Sequence, residues 1–330
     1  MKRKLISTGL ALGLLVSLPG LAFAQELALG GQVVGIQIST RGVLVAGVGE
    51  VETAEGSRAP AREAGVREGD FVVAVNGREV DSASKLIAAV GELEGESAEL
   101  SLLREERSLR VSVTPVLSRE KQWMLGMWLR DGVSGIGTVT FCDPATGTYG
   151  ALGHSVNDET SGQTLPMSHG SITEAEIVDV VRGTAGAPGE LNGCSDVGRV
   201  LGSVEKNTDH GIYGHLTAPL GGRLVETGTI ELGPATILST VSGREAREYR
   251  AEVSRLYQDG DGLHAMIVIT DAELRDRTGG IVQGMSGSPV LQNGRLVAAV
   301  THVFLADPTR GYAISIQDML DDAGLEEKAA

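Results

Sequence analysis

Residues 279–304 read GGIVQGMSGSPVLQNGRLVAAVTHVF. Apolar segments flank the small-residue run GMSGSP, and Asn293-Gly294 is a dipeptide that favours a two-residue hairpin turn. The stretch therefore predicts a pair of antiparallel strands that carries a glycine-rich loop. That loop contains Ser286, which is either a catalytic nucleophile or a polar residue of a tight turn, and residue types alone leave both interpretations open.

A serine nucleophile needs a base to take its proton and donors to stabilise the oxyanion. Gly284 has no side chain to obstruct a substrate carbonyl, so the backbone N–H groups of Gly284 and Ser286 are the predicted oxyanion hole. His154 follows a glycine in ALGHSVND and is the predicted base. His302 in AVTHVF is interpreted as a core or pocket-wall residue that could lie near the site, and the other histidines have no comparable context.

A carboxylate that orients the imidazole is the third group expected of such a site. Asp271 ends the apolar segment AMIVITD and is the first candidate, with Asp276 and Asp158 as alternatives. An acid at position 271 is equally typical of a helix N-cap, here for AELRDR. The residues alone do not choose between these candidates.

Residues 33–114 have the pattern of a small α+β domain. In APAREAGVREGDFVVAVNGREV (59–80) a short helix is predicted to end at Gly65, and the strand FVVAV precedes the hairpin dipeptide Asn76-Gly77. A second helix is expected to begin at Asp81 or Ser82. Beyond residue 115, short strands and glycine-rich turns recur, which is typical of a β-barrel or sandwich.

Composition excludes several classes of function. The chain has 330 residues, enough for two domains, and a formal net charge of −15, which argues against nucleic-acid binding. No cofactor motif and no metal-ligand spacing is present, so neither a cofactor nor a metal is expected. The two cysteines, Cys142 and Cys194, could form a disulfide or remain thiols.

The first 24 residues indicate export. Lys2, Arg3 and Lys4 precede an apolar stretch that ends in Ala22-Phe23-Ala24, as in a cleaved signal peptide. A retained N-terminal membrane anchor is the alternative. A spacer is expected at 25–32, and the polar segment 25–60 is where we expect self-cleavage.

Residues 33–114 resemble a PDZ domain, most specifically in AGVREGDFVVAVNGREV. The resemblance implies that an exposed strand edge captures a peptide or protein C-terminus. Gly35, Ile36 and Gln37, in VVGIQI, would then offer backbone N–H groups to the ligand.

The remainder, 115–330, resembles the SpoIVB-type serine peptidase family of endospore-forming bacteria. The segments that carry the resemblance are GIGTVTFCDPATGTYGALGHSVND and ITDAELRDRTGGIVQGMSGSPVLQNGRLVAAVTHVFLADPTRGYAISIQDML. Matched by motif, the family's nucleophile, base and acid correspond to Ser286, His154 and Asp271. The implied architecture is mainly β, with an N-terminal PDZ-like domain followed by a chymotrypsin-like double β-barrel.

The family implies a self-processing signalling endopeptidase, exported into the space between forespore and mother cell. Its expected partners are a membrane-bound regulator of an intramembrane protease, cleaved to activate a late sigma factor, and a peptide ligand of the PDZ domain. Met285 stands where trypsin-like zymogens carry the aspartate of their activation switch, so control is expected from the PDZ domain instead. A non-catalytic PDZ-type binding module of the cell envelope is the alternative function.

Overall fold

The computed structural model describes residues 26–105, 107–158, 162, 164–219, 221–260 and 262–325. The expected signal peptide, 1–24, lies outside these residues. Within the described part of the chain, no helix is both long enough and apolar enough to cross a membrane. In chain order the elements are β1 (Glu26–Leu29), β2 (Val33–Val48), β3 (Val51–Thr53), β4 (Gly56–Arg58), α1 (Pro60–Glu63), β5 (Phe71–Val75), β6 (Arg78–Glu79), α2 (Ala83–Gly91), β7 (Ala98–Arg104), β8 (Arg107–Val113), β9 (Val116–Leu117), β10 (Trp123–Met124), β11 (Met127–Cys142), β12 (Thr148–Ala151), β13 (Met167–Val181), β14 (Glu190–Val204), β15 (Lys206–Thr208), β16 (Gly211–His215), β17 (Leu224–Glu226), β18 (Gly233–Ser239), β19 (Arg247–Gln258), β20 (Leu263–Ile269), α3 (Ala272–Thr278), β21 (Pro289–Gln292), β22 (Arg295–Val303), β23 (Arg310–Ser315) and α4 (Ile316–Ala323).

The C-terminal part of the chain forms a closed six-stranded barrel. Its strands follow the order β18-β19-β20-β23-β22-β21, and all neighbours are antiparallel. Alternating buried aliphatic residues fill its interior, as expected for strands with one face in the core. The hairpin predicted at Asn293-Gly294 joins β21 to β22, and helix α4 has Ser315 as its N-cap and Gly324 as its C-cap.

The α+β unit is built on β5, β7, β8 and the second half of β2. The predicted hairpin at Asn76-Gly77 is present, with φ of 49° and 77° at the two residues, the left-handed values that a type I′ turn requires. Ser82 is the N-cap of α2 and accepts a hydrogen bond from Lys85 N at 3.3 Å. The apolar face of α2 packs on the sheet through Leu86 and Val90, and this contact forms the core of the unit.

A buried ion pair between Asp70 and Arg104 stabilises the turn that follows α1. Asp70 is fully buried, and its carboxylate accepts hydrogen bonds from Arg104 Nε at 2.6 Å and Arg104 Nη2 at 2.8 Å. The same carboxylate accepts from Arg67 N, while Arg104 Nη2 also donates to the carbonyl oxygen of Gly65. The Gly65–Asp70 turn is therefore tied to the end of β7.

Strand β2 belongs to both units. Its first half lies between β11 and β13, and its second half lies between β11 and β5. Gly35, Ile36 and Gln37 are in the first half and have pairing partners on both sides, for example Gly135 and Ile172 across from Ile36. The prediction that these three residues bind a PDZ ligand is wrong, because both edges of the strand are already paired within the chain.

The predicted self-cleavage segment is largely built into the sheet. Strand β1 pairs with β11 and β17, and Leu27 is completely buried. Residues 33–48 form the central strand β2 described above. Of the described part of segment 25–60, the longest exposed run is residues 54–58, in the turn and second strand of the β3–β4 hairpin, where a protease could reach the chain.

Cys142 and Cys194 are not joined in a disulfide. Cys142 is buried on β11, and Cys194 is exposed on β14. The sequence left open a disulfide or two thiols, and in the structure both cysteines are thiols.

Candidate active site

Ser286 and His154 line the same cavity, which lies between the closed barrel and the sheet that contains β2 and β11. The cavity has a volume of about 660 Å³. Its walls are mainly apolar, and the aliphatic residues come from both units: Ile36, Ile38, Val133, Ile136, Ile281 and Val282. The structure thus brings together the predicted nucleophile and base, which are far apart in sequence.

The loop that carries Ser286 is fixed by hydrogen bonds from β11. Thr138 N donates to the carbonyl oxygen of Ser286 at 3.0 Å, and Thr138 Oγ1 donates to that of Gly284 at 3.1 Å. Thr140 Oγ1 donates to the carbonyl oxygen of Gly287 at 2.8 Å. A Cβ atom at Gly287, where φ is 91°, would lie 2.1 Å from the carbonyl oxygen of Thr138, so this position requires glycine.

The predicted oxyanion donors remain available. Gly284 has φ of 95°, a left-handed conformation that glycine adopts without strain. Neither Gly284 N nor Ser286 N donates a backbone hydrogen bond within the part of the chain that the structure describes. The role of these two groups as an oxyanion hole stays a prediction.

The Ser286 hydroxyl does not point to a base in this conformation. Ser286 Oγ donates to the carbonyl oxygen of Thr301 at 2.6 Å, which is a short and strong contact. Thr301 lies on β22 and lines the same cavity. The hydroxyl must therefore rotate away from Thr301 before a histidine can accept its proton.

The backbone before His154 turns sharply and presents the imidazole to the cavity. Leu152 and Gly153 both have φ of 70°, and a left-handed leucine is an uncommon, strained conformation. His154 Nδ1 lies 2.7 Å from the carbonyl oxygen of Ser155. Because a carbonyl can only accept, Nδ1 carries the proton, and the neutral ring keeps Nε2 as an acceptor.

Burial lowers the pKa of His154, since the cavity disfavours the charged ring, and the hydrogen bond to the carbonyl of Ser155 opposes this effect only in part. The imidazole is therefore neutral over a wider range of pH than an exposed histidine. A neutral ring with a free Nε2 is the form that a general base requires.

His302 packs against His154. The two ring centroids are 4.4 Å apart and the ring planes are tilted by 34°. The pKa of His302 is lowered by burial and then by repulsion from His154. The sequence indicated a core or pocket-wall residue at this position, and His302 lines the cavity. His302 directly follows Thr301, whose carbonyl oxygen accepts a hydrogen bond from Ser286 Oγ. Once the strand pairing is known, this position in the sequence indicates that His302 lies at the site.

Asp271 does not lie in this cavity. It is the N-cap of α3, where its carboxylate accepts from Leu274 N at 3.2 Å and from Arg250 N at 3.3 Å. Burial raises the pKa of Asp271, but these hydrogen bonds and the Arg250 guanidinium outweigh burial and lower it. The expected orienting role of Asp271 is not supported by this geometry, and the N-cap interpretation of the same pattern is confirmed.

Asp276 and Asp158, the two alternative candidates for the orienting carboxylate, differ in exposure and in location. Asp276 is exposed on α3 and its backbone carbonyl accepts from Arg182 Nη1. Asp158 is buried and lines the cavity that contains Ser286 and His154. Of the three aspartates, Asp158 is the one that the structure places at the site.

Comparison with known proteins identifies the family. Residues 121–320 match the model of the SpoIVB peptidase S55 family, and residues 53–104 match that of the PDZ domain. The chain belongs to the SpoIVB peptidase S55 family. It is a serine peptidase with a PDZ domain, and the predicted order of a PDZ-like domain followed by a serine peptidase domain is confirmed.

Solved structures that are similar to the chain include the Rv3671c protease of M. tuberculosis. Its inactive form has 12% identity, a TM-score of 0.35, and coverage of 58% of this chain and 85% of that chain. Its active form has 13% identity, a TM-score of 0.34, and coverage of 61% and 76%. No curated protein matches the chain.

Proposed function

We propose that this chain is an endopeptidase in which Ser286 attacks the substrate carbonyl and His154 is the general base. The observation that carries the proposal is the shared cavity: the Ser286 loop and a neutral His154 with a free Nε2 both face it. Rotation of the Ser286 hydroxyl from the Thr301 carbonyl towards His154 would start the reaction. The N–H groups of Gly284 and Ser286 would then bind the oxyanion.

The third group of the site differs from the carboxylate of a Ser-His-Asp triad. A peptide carbonyl holds His154 Nδ1, and His302 supports the ring from the side. Asp158 lines the same cavity, and its carboxylate is the proposed group that would favour the imidazolium formed during attack. The proposed machinery is therefore a Ser286–His154 pair with His302 and Asp158 as neighbours.

Serine-directed labelling tests the assignment. A fluorophosphonate probe is expected to label the purified chain and the variant Ser288→Ala, and to leave Ser286→Ala unlabelled. Ser288 is a matched control because it lies in the same loop, but its hydroxyl is buried and bonded to Ser239 Oγ at 2.9 Å. Absence of labelling in all three proteins would favour the alternative function, a non-catalytic PDZ binding module.

We further propose that the enzyme is an exported, self-processing signalling protease. Family membership and the signal-like N-terminus support this role. The proposed substrate is a membrane-associated regulator of an intramembrane protease, and its cleavage would activate a late sigma factor during spore formation. The proposed location is the space between forespore and mother cell.

Two measurements test this cellular role. Sequencing of new N-termini after incubation of the purified protein should show self-cleavage that Ser286→Ala abolishes. In the source organism, Ser286→Ala should block expression that depends on the late sigma factor while the protein is still exported. Normal sporulation with Ser286→Ala as the only copy would contradict the proposed pathway but not the peptidase activity.

A further inference from the structure

The segment that follows His154 is bound by the side chain of Asn207. Asn207 Oδ1 accepts a hydrogen bond from Val156 N at 2.8 Å, and Asn207 Nδ2 donates to the carbonyl oxygen of Val156 at 2.9 Å. One amide group thus satisfies both backbone polar groups of Val156, as a residue of a neighbouring antiparallel strand would. The two contacts also fix the orientation of the amide, because only its oxygen can accept from an N–H and only its nitrogen can donate to a carbonyl.

Contacts with a neighbouring segment complete the support of this backbone. Leu165 N donates to the carbonyl oxygen of Val156 at 3.1 Å, and Asn157 forms an antiparallel bridge with Thr164. Asn207 Nδ2 also donates to the carbonyl oxygen of Leu165 at 3.4 Å, so the amide joins the two segments. The backbone that follows the base is therefore fixed, although it lies outside the long strands.

The sheet places Asn207 close to the turn that presents His154. Asn207 lies on β15 and pairs with Ile212 of β16, which in turn pairs with Ala151 at the end of β12. The chain leaves this row of three strands at Ala151, turns through His154 and returns to it where Val156 contacts the Asn207 side chain. The loop that carries the base is thus held at both of its ends by the same part of the sheet.

One peptide group connects Asn207 to the imidazole. The Ser155 carbonyl and the Val156 N–H belong to the same trans peptide, so they point in opposite directions. The carbonyl accepts from His154 Nδ1 at 2.7 Å, and the N–H donates to Asn207 Oδ1 at 2.8 Å. Hydrogen bonds in series polarise one another, so the bond to Asn207 makes the Ser155 carbonyl a stronger acceptor.

We propose that Asn207 is a positioning residue of the general base and acts on His154 through the peptide group between Ser155 and Val156. It holds the carbonyl that fixes the proton on Nδ1, and Nε2 is thereby kept as the acceptor. In a Ser-His-Asp triad, the carboxylate has this orienting role.

The role of Asn207 rests on the function proposed above. The proton of the Ser286 hydroxyl would pass to His154 Nε2, while the proton on Nδ1 stays in place. Asn207 is neutral, so it orients the ring without adding a charge. The carboxylate proposed to favour the imidazolium remains that of Asp158, which lines the cavity.

The rate of fluorophosphonate labelling tests this role on the full chain with Ser286 intact. Asn207→Ala removes both contacts to Val156. We expect the labelling rate and kcat for a peptide substrate to fall by about 100-fold, with KM within about threefold, because a misplaced catalytic group slows the reaction without weakening binding. Thr208→Ala is the matched control: Thr208 is the next residue of β15 and equally half-buried, but its hydroxyl donates to Asp322 Oδ2 at 2.6 Å.

The Thr208→Ala protein should keep the parent rate within about threefold, since the contacts of Asn207 are intact. Labelling of Asn207→Ala at the parent rate would overturn the proposal. An equal fall in the two variants would overturn it as well, because the effect would then belong to β15 in general. A parent protein that is not labelled would contradict the proposed function instead, and the next measurement would then decide the role of Asn207.

Nuclear magnetic resonance of the Ser286→Ala protein is independent of catalysis. With ¹⁵N-labelled histidine at about pH 8, where imidazoles are neutral, His154 should have its proton on Nδ1 and none on Nε2. Loss of its signals in His154→Gln identifies them. Asn207→Ala should give a mixture of the two tautomers, whereas Thr208→Ala should keep the single one. A single Nδ1–H tautomer in Asn207→Ala would show that the ring is oriented without Asn207 and would overturn the proposal.

Hydrogen exchange needs no substitution of Asn207 and decides the case in which Asn207→Ala does not fold. The Val156 amide should be protected to a similar degree as that of Leu152, which donates to the carbonyl oxygen of Thr138 at 3.2 Å. Exchange as fast as that of Ala54, in the exposed turn of the β3–β4 hairpin, would show that the contact with Asn207 is not maintained. That result would overturn the proposal.

Discussion

The imidazole rings of His154 and His302 pack against each other, with a centroid distance of 4.4 Å and a tilt of 34°, in the cavity that Ser286 also lines. His154 Nδ1 is bound by the Ser155 carbonyl, so the second histidine cannot replace the usual carboxylate as a hydrogen-bond acceptor for that nitrogen. Its contribution is steric: it covers one face of the base and keeps water away from it, which adds to the burial that lowers the pKa of His154. This pair gives the first two predictions.

The pH dependence of catalysis should reflect the lowered pKa of His154. The general base works as the neutral ring, so activity falls as the pH drops through its pKa. Because burial places that pKa below the ordinary value of 6.5, the acid limb of kcat/KM should lie below pH 6.5. A profile measured with a peptide substrate checks this, and an acid limb at or above pH 7 would contradict it.

Removal of the His302 ring should affect both the position and the pKa of His154. In His302→Ala the base gains water on one face, so the acid limb should move up towards pH 6.5. We expect kcat to fall by about tenfold with little change in KM, since a small misplacement of a catalytic group lowers the rate without weakening binding.

His302→Phe separates this effect from a general loss of structure. Phenylalanine keeps a flat ring against His154 and keeps water out. It should restore the low acid limb and most of kcat. If the alanine and phenylalanine variants have the same pH profile, His302 does not position the base.

Local signals in the sequence pointed to two residues that the structure brings to one cavity, and their catalytic roles stay predictions. Ser286 stands among glycines and His154 follows a left-handed glycine, and both residues reach the cavity. Asp271 shows the limit of such signals. An acid at the end of a strand has the same local pattern as a triad carboxylate and as a helix N-cap, and only its tertiary contacts decide between them.

Strand β2 shows a second limit. The apolar alternation of VVGIQI is typical of a strand, but its partners, β11 and β13, lie about 100 or more residues away. The local sequence pattern does not indicate which distant strands will pair with β2. The predicted PDZ-ligand loop at Gly35, Ile36 and Gln37 is therefore wrong, whereas the resemblance to a PDZ domain is confirmed for residues 53–104.

Substitution of the two aspartates tests which carboxylate supports the base. Asp271→Asn should leave kcat/KM within about threefold, because asparagine is an equally good N-cap and the carboxylate does not line the cavity. Asp158→Asn should lower kcat/KM by at least about tenfold, since it removes the carboxylate that is proposed above to favour the imidazolium.

Kinetics with one peptide substrate compare both variants with Asp276→Asn, whose carboxylate is exposed and serves as the control. A loss of roughly 10⁴ in Asp271→Asn is the size found when a triad aspartate is replaced. That result would show that Asp271 reaches His154 in the active conformation, contrary to the geometry described here.

The ion pair between Asp70 and Arg104 should be a major contribution to the stability of the PDZ unit. The Asp70 side chain is 1% exposed, so Arg104→Leu leaves a buried carboxylate without its partner, which costs about 3 kcal/mol of unfolding free energy. Arg110→Leu is the control, because the Arg110–Glu99 pair is exposed and contributes less than about 1 kcal/mol.

Urea unfolding of the Ser286→Ala protein, followed by tryptophan fluorescence, measures both effects. The chain has two tryptophans, and both pack against glycines of the PDZ unit, Trp123 on Gly95 and Trp128 on Gly47, so their emission reports on this unit. Equal destabilisation by the two substitutions would show that the buried pair has no special role in holding the Gly65–Asp70 turn.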